Sequence, residues 1–218
     1  MKSFVARYKH AWLLSYAFIY LPWFMYLEKT VTTNYHIIHT WADDLIPFNE
    51  YFIIPYYLWF FYVGGFILYF FFKNRQDYYR MCAYLFTGMT ISLIICTFYK
   101  NGTDLRPVVD PEKNVFAYMV SLLHKADTPT NIFPSVHVFN SIVVHIAVMK
   151  STCFKARPWI RCLSLILCVS ICLSTVVLKQ HSVVDGLGSI VMSYALYPLI
   201  YGENYGFSRR KIARKALG

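Results

Sequence analysis

Apolar residues run along this chain in blocks separated by short polar and basic connections. Six blocks suit a bilayer: 11–27, 52–72, 81–98, 134–149, 162–178 and 183–201. A helix needs roughly 17–25 apolar residues to cross the hydrocarbon, and the fourth and fifth blocks are at the short end. Within the blocks the apolar positions are continuous instead of falling on one helical face, which predicts spanning helices over amphipathic soluble ones. Tyr and Trp gather at block ends, where an interfacial belt would place them. The predicted fold is all-α: one polytopic membrane bundle of six transmembrane helices over residues 1–218. The core is expected at about 52–200, with a basic tail at 203–218.

Composition agrees with this pattern. Of the 218 residues, 57% are hydrophobic, 19% aromatic and only 15% charged, too apolar for a soluble domain of this size. The first block has a basic flank but no small-residue cleavage pattern after it, so it is read as a retained helix. Gly64-Gly65 in the second block predicts close helix packing.

The net charge of +10 raises nucleic-acid binding, but the distribution argues against it. The basic residues are Lys2, Arg7 and Lys9; then Lys73, Arg75 and Arg80; then Lys150, Lys155, Arg157 and Arg161; and finally Arg209, Arg210, Lys211, Arg214 and Lys215. These groups account for 15 of the 21 Lys and Arg, and they occupy alternate connections. By the positive-inside rule both termini are cytoplasmic. The tail is read as an anchor on anionic lipid. The six cysteines fall in helices or a cytoplasmic loop and are expected as free thiols, with no zinc-like spacing.

Candidate chemistry then falls on the opposite, external face. His181 and Asp185 are four residues apart at the start of the last block, on one helical face. A carboxylate there can fix the imidazole tautomer and leave the other nitrogen free to attack. His137 follows Pro134 and Ser135, whose position at a helix start makes an anion-binding rim. His137 is placed to protonate a leaving alkoxide. Arg106, before Pro107, offers a guanidinium suited to phosphate, with Lys100 and Lys179 as further cations. His145, deeper in the fourth block, is read as an interhelical hydrogen-bonding residue. The first external connection carries His36, His39, Asp43, Asp44 and Glu50 with Trp41, Leu45 and Phe48, and is read as a surface-docking segment capping the site.

Taken in order, Arg106-Pro107, Pro134-Ser135-Val136-His137 and Ser174…His181…Asp185 resemble the three motifs of the type 2 phosphatidic acid phosphatase superfamily. Three positions depart from that pattern. Tyr99 stands where the family has Lys, Val136 replaces Gly, and Thr175 stands where a second phosphate-binding Arg would be. The Phe-Pro-Ser-aliphatic-His version also looks like the inositol phosphorylceramide synthase branch.

The resemblance implies a lipid phosphate phosphatase in which His181 forms a phosphohistidine. Asp185 orients it, His137 serves as acid and then base, and Arg106, Ser135 and Lys100 or Lys179 hold the phosphate oxygens. It implies no metal or other cofactor. The partners expected are a phosphorylated lipid substrate and membrane lipids, with no nucleic acid. The setting expected is a bacterial plasma membrane with the site on its external face. Headgroup transfer between lipids and an inactive lipid-binding homologue stay open, as does transport, against which the few charges at mid-membrane depth count.

Overall fold

A computed structural model describes residues 8–202. The basic tail and the terminal residues Lys2 and Arg7 lie outside the described residues. Along the chain, a 3-10 stretch at Lys9–Tyr16 continues into α1 (Ala17–Thr30). A connection follows with β1 (His36–Ile37), the short α2 (Trp41–Asp44) and a 3-10 turn. Then come α3 (Ile53–Lys73), α4 (Arg75–Phe98), β2 (Asn101–Gly102), α5 (Val115–Ala126), α6 (Val136–Lys150), α7 (Pro158–Val177) and α8 (Val183–Tyr201).

Among the described residues, four segments are long and apolar enough to cross a membrane: Glu50–Lys73, Arg75–Phe98, Pro158–Val177 and Val183–Tyr201. The blocks at 11–27 and 134–149 are also helical, but α1 has 14 residues and α6 has 15. The outer surfaces are apolar as well: Phe18, Phe61, Val191 and Tyr194 are all largely exposed. An apolar surface this broad is unstable in water and natural against lipid. With the four long helices it marks an integral membrane protein.

The short α6 is the axis of the bundle and packs against α3, α4, α7 and α8. Its Phe139, Val143, Val144 and Val148 are wholly buried. Two close approaches let neighbouring backbones reach this axis. At Gly88 an added Cβ would stand 2.0 Å from the Phe139 ring, and at Gly188 2.6 Å from the Phe133 ring. Gly64 and Gly65 do not play the packing part expected of them, since a Cβ at either meets nothing within 4 Å.

Polar side chains tie the helices together inside the bundle. The Tyr84 hydroxyl donates to the Ser193 carbonyl at 2.5 Å, and Tyr62 meets the Ser164 hydroxyl at 2.6 Å. His145 Nδ1 lies 3.1 Å from the same Ser164 oxygen, the interhelical role expected of it. In a lipid setting such bonds stabilise by about 0.6–2 kcal/mol each. The six cysteines are free.

The long connection between α4 and α6 contains a helix the block pattern did not predict. In α5, Val120 and Leu123 are buried against Ile53, Tyr56 and Leu178. The first connection is also ordered: β1 pairs with β2 in parallel, His36 opposite Asn101. The Asn101 side chain then accepts the backbone N–H groups of Ile132 and Phe133, both at 2.9 Å. That contact presents the strand leading into α6.

Candidate active site

The turn between α7 and α8 carries His181. Two backbone N–H groups, from Gln180 and His181, fold back onto the Thr175 carbonyl at 3.0 and 3.1 Å. Lys179 permits this reversal by taking a left-handed backbone, φ 59°. Ser182 then caps α8, and Asp185 accepts the Ser182 N–H at 2.8 Å in a capping box. The same carboxylate oxygen stands 3.4 Å from His181 Nδ1. That is just beyond a normal hydrogen bond. Asp185 is wholly buried and its second oxygen has no partner.

His137 lies in the first turn of α6, after the cap Ser135. Its ring is held between Tyr56 (centroids 4.6 Å apart) and Trp59 (4.4 Å), both on α3. The His137 and His181 ring centroids are 5.8 Å apart. Ser135 is fully buried, and its backbone ties α6 to α8: its N–H meets the Asp185 carbonyl at 3.3 Å, and its carbonyl accepts the Ser189 hydroxyl at 2.7 Å. Its hydroxyl oxygen accepts the Val138 N–H at 3.4 Å.

Arg106, in the connection after β2, has only 11% of its side chain exposed. Its guanidinium is already engaged, donating to the Asp127 carbonyl at 2.6 Å, the Asp127 carboxylate at 3.0 Å and the Thr128 carbonyl at 3.0 Å. Nε is buried without a partner. Burial raises the pKa of the Asp127 carboxyl, more than the adjacent Arg106 lowers it. Glu28 orders the chain beyond Asp127, accepting from Thr128 and Asn131.

The two candidate lysines are not brought to Arg106. Lys100 is exposed. Lys179 donates from Nζ to the Asp43 carbonyl at 2.5 Å, which commits it to the first connection.

Four residues of this neighbourhood escaped the sequence reading. Asp127 is the first. His124, in the last turn of α5, sits 2.9 Å from the Gln180 side-chain nitrogen. Burial, and then the charge of Arg106, push His124 down to about 4, so it is neutral at physiological pH and accepts from Gln180. Gln180 itself is buried, with its carbonyl oxygen unpaired. The fourth is Asp43, which was assigned to surface docking. It is 2% exposed and reaches the α8 N-terminus. Nothing in one-dimensional spacing announces these contacts.

Residues 80–205, more than half of the 218-residue chain, match the family model described as PAP2 superfamily. Among curated proteins and among solved structures nothing matches. His137, His181, Asp185, Arg106 and Ser135 all fall in the matched segment, and Asp43, Tyr56 and Trp59 fall before it.

Proposed function

Because this chain belongs to the PAP2 superfamily, we propose that it is a membrane phosphatase that releases phosphate from a phosphorylated lipid through a phosphohistidine on His181. The observation that carries this reading is the placement of His181 between the Asp185 carboxylate and the His137 ring.

His181 Nε2 forms the bond to phosphorus as the ester P–O bond breaks. Asp185, beside Nδ1, stabilises the cation that develops on the ring. His137, protonated in the presence of the anionic substrate, gives its proton to the departing lipid oxygen. It then takes a proton from the water that attacks the phosphohistidine, so inorganic phosphate leaves and both histidines return to their starting states. Arg106 and the Ser135 hydroxyl stabilise charge on the equatorial oxygens. The site faces the external side, six helices span the bilayer and both termini are cytoplasmic.

The test is phosphate release from a panel of lipid phosphates by purified protein in detergent. His181→Ala is expected to lower release at least about a thousandfold, since loss of a nucleophile removes the covalent route. Release that survives this substitution would refute the reading.

A second reading has its own observation. Arg106 is paired with Asp127, and Thr175 stands where a second Arg would add charge. A site with so little positive charge suits a monoanionic phosphodiester better than a dianionic monoester. Headgroup transfer to diacylglycerol or ceramide, with the alcohol replacing water in the second step, is tested in the same preparation with a diester donor.

A further inference from the structure

The Asp43 carboxylate is a buried charge in a connection more than 130 residues from the helix it serves, and four donors converge on it. Ser182 Oγ donates at 2.6 Å, Val183 N–H at 2.8 Å, Thr40 N–H at 2.8 Å and Thr40 Oγ1 at 2.9 Å. The Asp43 backbone carbonyl meanwhile accepts Lys179 Nζ. One residue thus grips the catalytic turn on both sides of His181, through Lys179 before it and through Ser182 and Val183 after it.

We infer that Asp43 is a positioning residue for His181. It rests on the reading of His181 as nucleophile, and Asp43 lies outside the segment that carries the family match. The physical argument concerns the free N–H groups at the α8 N-terminus. A helix start leaves such groups without intrahelical acceptors. Here two carboxylates share the work: Asp43 takes Val183 N–H and the Ser182 hydroxyl, and Asp185 takes Ser182 N–H. Without Asp43, Asp185 is the remaining carboxylate for all three donors. It is then drawn towards the helix start and away from His181 Nδ1, 3.4 Å distant. The Lys179 tether is to the Asp43 backbone carbonyl and outlasts loss of the side chain, so the turn that sets the His181–His137 spacing loosens on its Ser182–Val183 side. The first connection is itself fixed, since β1 pairs with β2 and His39 bridges Asp44 and Asp104, so Asp43 is held on a stable arm.

The experiment measures kcat, KM and the pH profile of Asp43→Asn, with phosphoenzyme trapped from a ³²P-labelled lipid phosphate to count competent sites. The inference predicts that kcat per labelled site falls about 10- to 100-fold while KM changes less than about threefold, because a small displacement of a reacting group costs rate more than binding. The pH profile of kcat moves as well, because a charge beside the His181–Asp185 pair is removed. Asp43→Glu, which keeps the charge, restores part of the rate.

A purely structural role would reduce the number of labelled sites and leave kcat per site and its pH profile unchanged, and that result overturns the inference. If Asp43→Asn does not fold, Ser182→Ala and Lys179→Met each remove one grip and are expected to lower kcat per site with KM held. A raised KM with unchanged kcat in Lys179→Met would make Lys179 a phosphate ligand and overturn the inference. Failure of the underlying reading looks different: wild-type protein would then carry no histidine-bound label at all.

Discussion

Arg106 enters the site with its charge already matched. Asp127 takes two of the guanidinium bonds, and on the proposed reading a substrate phosphate shares or displaces its carboxylate. Asp127→Asn keeps an acceptor but removes the negative charge. It is expected to lower KM for a lipid phosphomonoester about three- to tenfold, about 1 kcal/mol of relieved repulsion. Because burial holds the Asp127 carboxyl above its ordinary range, the fold favours its neutral form, and the same change is expected to leave the melting temperature unchanged or slightly raised. Steady-state kinetics with thermal unfolding checks both, and an unchanged KM would mean that Asp127 does not face the phosphate. Among single residues, His137, His181, Asp185 and Arg106 were legible because each sits in a short local pattern whose chemistry can be read along the chain. Asp43, His124 and Asp127 were not. Their roles come from contacts across separations such as Asp43 to Ser182, and an isolated acid or histidine in a loop carries no local sign of them.

At the level of elements, the first connection, 31–52, is a built arm instead of a surface float. His39 ties it down, with Nε2 2.7 Å from Asp44 and Nδ1 2.9 Å from Asp104. Both ring nitrogens face carboxylates, an arrangement that only the doubly protonated ring satisfies. The Asp44 hydrogen bond raises His39 above its ordinary value, burial offsets part of this, and the Asp104 hydrogen bond adds to the rise. A raised folded pKa means that the stabilisation is complete below the ordinary histidine value, about 6.5, and is lost as pH rises through the raised one. The melting temperature of the wild type in detergent is therefore expected to exceed that of His39→Ala below about pH 6.5, with the gap closing at alkaline pH. A gap that does not change with pH would deny the imidazolium bridge. Five of the six predicted blocks match α3, α4, α6, α7 and α8 closely because continuous apolar runs admit few alternatives. Two of them start early: α7 at Pro158, four residues before its block, and α4 at Arg75, six residues before its block. Its polar first turn is capped by Asn74, and Asp77 accepts the Ser151 hydroxyl, so hydrogen bonding and not hydropathy extends the helix. The amphipathic α5 was lost inside a connection judged only by its lack of a spanning run.

At the scale of the whole molecule, orientation decides which compartment supplies the substrate. The site is assembled from the connections at one end of the bundle: 31–52, which carries Asp43; 99–135, which carries Arg106 and Asp127; and 178–182, which carries His181. The opposite end holds Lys73, Arg75, Lys150, Lys155, Arg157 and Arg161, six of the 21 basic residues, and the positive-inside rule assigns that end to the cytoplasm. The first turn of α6 is set inward of the start of α3, since His137 packs on Tyr56 and Trp59 and α3 begins at Ile53. On the proposed orientation, a headgroup approaches His181 from the external interface while its acyl chains stay in lipid. The geometry predicts opposite accessibility for two engineered thiols in a Cys162→Ser background, which removes the exposed native thiol. Val108→Cys, at a fully exposed loop position beside Arg106, is expected to react with a membrane-impermeant maleimide in intact cells. Lys155→Cys, in the exposed connection before α7, is expected to react only after permeabilisation. The reverse pattern would turn the molecule over, place the catalytic mouth in the cytoplasm and make an inner-leaflet lipid phosphate the substrate. Labelling of both in intact cells would mean that the bundle does not separate the two ends across a sealed bilayer.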